Sequence, residues 1–268
     1  KYNELILGGW DHPVLWYAAF KSPNIRNALI VESSIWESQV HGTKGKIKNI
    51  FLKRISKAYV SGKSQADLCK VLDFKGKLIT TKGVGIFNIR PQPEFQQKSL
   101  VKSFIYVGRL SPEKNLVFLI ETFNQLPDLK LNIVGFGPQE QLLKALAKEN
   151  IVFHGAIPNR ELYNEYLRND VFILPSISEP WGIVVEEALN NGLPVIVSDR
   201  VGCAEEIVNE SNGIIFNLDE PDGLLKAIVK MQDVDFHNNL RLNISKMNFE
   251  EIAEEQIKCY LNENTPSN

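Results

Sequence analysis

The chain has 268 residues, 44% of them hydrophobic and 23% charged, with a net charge of −2. That composition excludes collagen-like, disordered and membrane-embedded chains, because no apolar run approaches the roughly 20 residues of a bilayer span. Cys69, Cys203 and Cys259 stand far apart, which excludes a disulfide framework and a cysteine-based zinc site and favours a reducing compartment.

Strand-length apolar runs alternate with helix-length amphipathic stretches. Glu4–Gly8, Ala28–Glu32, Ala58–Ser61 and Leu78–Thr81 predict buried strands, with helices near 13–20, 46–57 and 64–72 between them. The pattern restarts after 96, with strands predicted near 103–108, 130–134, 151–153, 171–174, 194–197 and 213–216. A last helix is predicted over 248–261, capped by Asn248 with acids in its first turn. β-branched runs separated by helices imply parallel strands covered on both faces, hence two doubly wound α/β domains with Rossmann-like sheets. Asn88–Ser99, with Pro91 and Pro93 and no period of either kind, is the expected boundary. The domains are therefore expected over 1–95 and 96–247, with 248–268 a C-terminal helix returning to the first domain, plus a polar tail. Charge divides similarly: 1–95 hold 15 Lys+Arg against 7 Asp+Glu, a net of +8, and 96–268 a net of −10. A first domain that begins at Lys1 with four strands is expected to lack its start.

Three segments carry the chemistry. In Ile173–Val197 (ILPSISEPWGIVVEEALNNGLPVIV) a strand ends at Pro175, a polar loop holds Glu179, and Gly182 opens a helix with Glu186 and Glu187. Ligands of open α/β sheets bind outside the carboxyl ends of strands, where helix N-termini present unpaired N–H groups. Glu179 belongs in such a crevice, and Glu187 follows eight residues later, so the two carboxylates suit different parts of one ligand. In Phe104–Leu116 (FIYVGRLSPEKNL) a strand ends at Gly108, and Arg109 and Lys114 flank a turn before a helix. An arginine fork and a lysine point charge suit a diphosphate, although alone such a pair would be ordinary solvated charge. In Leu131–Pro138 (LNIVGFGP) a Gly-Phe-Gly-Pro turn allows close backbone approach to a flat ligand. It lacks the third glycine of a dinucleotide fingerprint, which disfavours a nicotinamide dehydrogenase.

Taken together and in order, these segments resemble the retaining glycosyltransferases of family 4, the "group 1" set with the GT-B fold. The likeness covers 104–216 and rests on Gly-Arg…Glu-Lys-Asn, Gly-Phe-Gly-Pro, and a Glu-x7-Glu pair closed by Ala-Leu-x-x-Gly-x-Pro-Val-Ile. Over 1–95 it is looser; GGWDHPVLWYAAF, then VESS, then a Lys-rich helix looks like members that build surface polysaccharides. The resemblance implies two Rossmann-like domains facing a cleft, the first incomplete here, with donor bound by the second and acceptor by the first. It implies that Arg109 and Lys114 hold the donor diphosphate and that Glu179 contacts the transferred sugar. Glu187 would then bind the ribose, backbone N–H groups of Gly182, Ile183 and Val184 would touch sugar and phosphate, and Gly135, Phe136, Gly137 and Ile157 would border the base. The donor would be a UDP-, GDP- or ADP-sugar and the acceptor a glycan or lipid-linked glycan, with retention of configuration. No cofactor or metal is expected. Relatives often place a His after the strand that here runs into Glu32-Ser33-Ser34, so no acceptor-side catalytic residue is assigned.

Other features have plainer readings. Of Glu186 and Glu187, one is expected to be a solvated helix charge, and the spacing selects Glu187 for the site. Asp233-Val234-Asp235 satisfies a D-x-D metal signature only formally, lying after the last strand. His12, His41, His154 and His237 lack ligand spacing, and Cys203 has no base to activate it. Lys44–Lys57 reads either as a surface helix packed on the sheet through Ile47, Ile50, Phe51 and Ile55, or as a dock for an anionic membrane. Nucleic acid is excluded by the acidic remainder and the absence of aromatic interleaving. The expected location is the cytoplasm, and peripheral contact to the inner membrane face follows only on the second reading of Lys44–Lys57. Two rivals stay open: a nucleotide-sugar-binding module without activity, and a phosphorylase of the same fold.

Overall fold

The computed structural model describes residues 2–83, 85, 86 and 88–261, so the polar tail lies outside the described residues. The chain divides into two α/β units, Lys1–Gly85 with Ile252–Asn268, and Ile86–Glu251.

In the first unit the order is β1 (Leu5–Leu7), α1 (Pro13–Lys21), β2 (Asn27–Val31), α2 (Gly42–Leu52), β3 (Lys57–Val60), α3 (Lys63–Val71) and β4 (Lys77–Thr80). The four strands are parallel and adjacent in sequence order. Right-handed crossovers that always step the same way put α1, α2 and α3 on one face of this sheet. Leu7, Leu29, Val31, Ala58 and Val60 join Phe51, Leu52, Leu68 and Cys69 in the core there. Tyr59 points the other way, where its ring lies 4.6 Å from that of Tyr260 on α11 (Phe249–Leu261). Gln256 of the same helix donates to the Lys82 carbonyl at 3.1 Å. Asn248 caps α11, accepting from the amides of Glu250 and Glu251.

The lysine-rich helix differs from expectation. α2 begins at Gly42 and stops at Leu52, because the following backbone is claimed elsewhere: the Arg54 carbonyl accepts from the Asn27 side-chain Nδ2 at 2.8 Å, and the Ser56 backbone amide donates to the Asn27 backbone carbonyl at 2.9 Å. Lys57 lies in β3, ion-paired with Glu4 at 2.8 Å. The expected single apolar face is split, with Phe51 and Ile55 buried and Ile47 and Ile50 each 51% exposed.

The second unit runs β5 (Ser103–Val107), α4 (Leu116–Phe123), β6 (Lys130–Val134), α5 (Glu140–Leu146), β7 (Ile151–Gly155), α6 (Asn159–Leu167), β8 (Val171–Leu174), α7 (Ile183–Asn190), β9 (Val195–Ser198), α8 (Ala204–Ile207), β10 (Gly213–Phe216), α9 (Gly223–Met231) and α10 (Val234–Ile244). Its parallel sheet has the order β10-β9-β8-β5-β6-β7. The first strand is central and the chain winds outward both ways, so the order reverses between β5 and β8. Ligands of open α/β sheets bind in the crevice outside the carboxyl ends of the strands at such a switch point. The expected boundary stretch Asn88–Ser99 is bound to this unit, which moves the division from 95/96 to 85/86. Arg90 exchanges hydrogen bonds with the Asn190 side chain (3.0 and 2.9 Å), Lys98 does so with Asn238 (both 2.8 Å), and Arg241 donates to the Gln96 carbonyl at 2.7 Å.

Candidate functional site

The loop after β5 carries Arg109 and Lys114 into the switch-point crevice. Gly108, at φ +158°, makes the first turn, where a Cβ would stand 2.6 Å from the Tyr106 hydroxyl. That hydroxyl donates to the Arg109 carbonyl at 2.8 Å, fixing the loop from below while the Arg109 side chain stays exposed. Lys114 closes a 3-10 turn, Pro112–Lys114, and Asn115 at φ +58° redirects the chain into α4. Burial, with Glu179 and Glu113 nearby, pushes the Tyr106 hydroxyl far above its usual range; Arg109 opposes this. Glu113 is held below the usual carboxylate range chiefly by the Ser111 hydroxyl, which donates to it at 2.5 Å.

The loop after β8 meets the first one. The Ile177 amide donates to the Glu113 carbonyl at 2.9 Å, and Lys114 forms an ion pair with Glu179, both side chains largely shielded. Glu179 is pinned by its backbone to the loop after β9, with its amide on the Arg200 carbonyl (3.2 Å) and its carbonyl receiving the Gly202 amide (2.9 Å). Gly202 has no room for a side chain, since a Cβ would fall 1.8 Å from the Pro180 carbonyl oxygen. Gly182, at φ +95°, then caps α7. The N–H groups of Ile183 and Val184 lie in the first turn, where a helix supplies no acceptor of its own.

Adjacent glutamates on α7 take different environments. Glu186 is 1% exposed and accepts from the Trp181 indole at 2.7 Å, so it is a buried partner and not the solvated charge expected. Glu187 is half-buried beside Tyr166, whose hydroxyl donates to it at 3.4 Å. Burial raises its carboxyl, and hydrogen bonds from Tyr166 and Asn159 only partly offset this. Asn88, Arg90, Tyr163 and Asn191 line the small hollow around it, and the Arg90 guanidinium lies 4.6 Å over the Tyr163 ring. Sequence reasoning missed these neighbours; Tyr166 and Asn159 lie on α6, outside every motif.

The Gly-Phe-Gly turn after β6 serves its neighbours first. At Gly135 (φ +138°) a Cβ would lie 1.8 Å from the Gly108 carbonyl oxygen, and at Gly137 2.4 Å from that of Leu110. These glycines let two loops lie backbone against backbone, with Leu110 donating to Phe136 and Gln139 to Leu110, each at 3.0 Å. Phe136 itself is 67% exposed, and Ile157 is half-buried beyond β7. The structure therefore brings Arg109, Lys114, Glu179 and the α7 N-terminus together, and sets Glu187, Phe136 and Ile157 on neighbouring elements.

The remaining candidates resolve locally. Asp233 caps α10, accepting from the amides of Asp235 and Phe236 at 3.0 and 3.1 Å. His12 caps α1 and exposed His154 bonds Asn132 at 2.9 Å. Burial pushes the Cys203 thiol well above its usual range, and that of Cys69 up to about 12. Among the described residues no three His, Cys, Asp or Glu side chains are grouped so as to hold a metal ion.

Comparison with known proteins accords with this geometry. A sulfoquinovosyl transferase of Arabidopsis thaliana is 34% identical over 152 residues, 55% of this chain and 29% of that protein. The O-antigen biosynthesis glycosyltransferase WbnH of Escherichia coli is 32% identical over 196 residues, 70% of this chain and 55% of that one. The chain thus spans between about a third and about half the length of these relatives. HepE of Anabaena, solved in complex with UDP and glucose, superposes with a TM-score of 0.71 at 17% identity, over 93% of this chain and 75% of that one. This last likeness is one of fold, the GT-B architecture with its parallel α/β sheets. The family described as "Glycosyl transferases group 1" matches residues 88–248, which hold the whole switch-point crevice, and the chain belongs to that family.

Proposed function

We propose that the chain takes part in transferring a hexose from a nucleotide-sugar donor to a glycan or lipid-linked acceptor, with retention of configuration, in surface polysaccharide synthesis. The observation that carries this reading is the Lys114–Glu179 ion pair at the switch point, with Arg109 on the same loop as Lys114 and the N-terminus of α7 directly after the Glu179 loop. Transfer breaks the bond between the sugar's anomeric carbon and a diphosphate oxygen, leaving the electron pair on that oxygen, and forms a bond from the same carbon to an acceptor hydroxyl oxygen, whose proton passes to the departing diphosphate. Arg109 and Lys114 stabilise the developing charge as fixed cations, which requires no metal ion. Lys114 also orients Glu179 through their ion pair, so that the carboxylate accepts from hydroxyls of the transferred sugar. Amides of Gly182, Ile183 and Val184 bind the sugar and phosphate, since α7 leaves its first donors unpaired. Glu187 accepts from the ribose, and Phe136, on the turn shaped by Gly135 and Gly137, borders the base with Ile157. UDP is the first nucleotide to try, because HepE, of the same fold, binds it. A nucleotide-sugar donor and three separated thiols suit the cytoplasm.

Calorimetric titration of UDP, GDP and ADP tests the reading. One of them binds with micromolar affinity, equally with magnesium or with EDTA, and Arg109→Ala weakens it about tenfold or more, about 1.4 kcal/mol. Absence of binding by any of the three to folded protein overturns it.

A further inference from the structure

The helical layer of the first unit leaves a run of large apolar side chains in solvent. On α1, Val14, Tyr17 and Phe20 recur every third residue and are 58%, 65% and 50% exposed, while Leu15, Trp16, Ala18 and Ala19 pack on the core. A surface helix ordinarily turns its large apolar stripe inward. On α2, Ile47 and Ile50 are each half exposed as well. The helices lie side by side, with the Trp16 ring 4.9 Å from that of Phe51 and the Arg54 guanidinium 5.4 Å over Phe20. Lys21, Lys44, Lys46 and Lys53 stand exposed on the same two helices and at the end of α2. Neither 12–31 nor 38–66 contains a single Asp or Glu.

We propose that this face of α1 and α2 docks on an anionic lipid bilayer, with Tyr17, Phe20, Ile47 and Ile50 entering the headgroup region and the lysines meeting lipid phosphates. Its chemistry selects lipid over protein: protein interfaces are depleted in lysine, whereas helices lying in a membrane surface combine lysines with aromatic and aliphatic residues. Asp11 and Glu37 stand beside Lys44, Ile47 and Lys48 at one edge, but the exposed lysines outnumber them, and the net positive face complements an anionic leaflet. The contact is peripheral in kind, since among the described residues no helix is long and apolar enough to cross a membrane. It corrects the expected Lys44–Lys57 dock, because Lys57 is engaged by Glu4 and the apolar stripe of α1 takes a share. The inference is independent of the donor-site reading, whose residues all lie in the second unit.

Cosedimentation of the full chain with phosphatidylcholine vesicles, with and without phosphatidylglycerol, tests it. The chain partitions onto the anionic vesicles and is released by high salt. Both Tyr17→Ser with Phe20→Ser, and Lys44→Gln with Lys46→Gln and Lys53→Gln, weaken partition about tenfold or more. The lysine set, all at exposed positions, keeps the test decisive should the aromatic pair fail to fold. Equal partition onto neutral and anionic vesicles, or unchanged partition of the lysine variant, overturns the proposal. So does a dimer in solution that the lysine variant retains and the aromatic variant loses, which would assign the stripe to a second copy of the chain.

Discussion

Glu186 and Glu187 are one residue apart, and a helix turns about 100° between them. That rotation sends Glu186 under Trp181, where the indole N–H satisfies it, and leaves Glu187 half-buried against Tyr166 and Asn159. Spacing alone selected Glu187 for the site but assigned Glu186 to solvent, because no sequence pattern reports that an indole five residues earlier folds back over it. The role given to Glu187 makes a prediction about the ribose. Replacing the bound nucleoside diphosphate by its 2′-deoxy form weakens binding to the unaltered chain by about 1.5–3 kcal/mol, the worth of a hydrogen bond to a charged group. In Glu187→Ala the two nucleotides bind alike. Equal loss in both proteins, measured by calorimetry, refutes the assignment.

At the scale of elements, three loops after β5, β8 and β9 support one another through backbone contacts, and the one between the loops after β8 and β9 is a contact that only glycine permits. Gly202 holds the Glu179 loop in place, with no space for a methyl group beside Pro180. Gly202→Ala is therefore expected to lower the urea midpoint of the second unit and the nucleotide affinity together, with a stability cost of about 1–3 kcal/mol. A variant with unchanged affinity would show that the Glu179 loop is not held from this side. The glycines of Gly-Phe-Gly carry the same lesson. Their positions were legible, but the expected reason, close approach of a ligand, was not the one the structure supplies. Carbonyl oxygens of Gly108 and Leu110 occupy the space instead, and those partners are far away in sequence. Helix limits behave likewise: α10 was bounded by its own Asp233, whereas α2 was ended by Asn27, a residue on a strand.

For the molecule as a whole, the base of the second unit holds a buried acid and a buried imidazole in contact. Burial pushes the Asp170 carboxyl up, but hydrogen bonds from the Lys98 ammonium and the Lys102 and Ser103 amides outweigh it and hold the group below its usual range. Burial lowers His237, whose Nε2 meets the Asp170 carbonyl at 3.0 Å. Both folded-state values lie below the unfolded ones, so the unfolded chain binds more protons and stability falls as pH falls. His237 contributes first, below about pH 6.5, and Asp170 later, below about pH 4. Urea midpoints taken between about pH 7 and pH 5 should decline for the unaltered chain and flatten for His237→Gln, leaving the more acidic step in place. A slope unchanged by the substitution would assign the effect to other groups.

The sequence by itself determined the strands, their parallel pairing and the family. These follow from local properties: continuous β-branched runs, helices of the right length between them, and turn residues at fixed offsets. It also named Arg109, Lys114 and Glu179, since each lies just beyond a strand that ends in a turn. Only the tertiary structure decided which of these meet. The strand order β8-β5 brings residues 65 positions apart into an ion pair, and that order depends on how helices pack on both faces of a sheet. It likewise decided that Asn88–Ser99 binds the second unit, that α2 stops at Leu52, and that α1 turns Tyr17 and Phe20 outward. Each of these depends on hydrogen bonds or packing between distant segments, which periodicity and spacing along one chain do not encode.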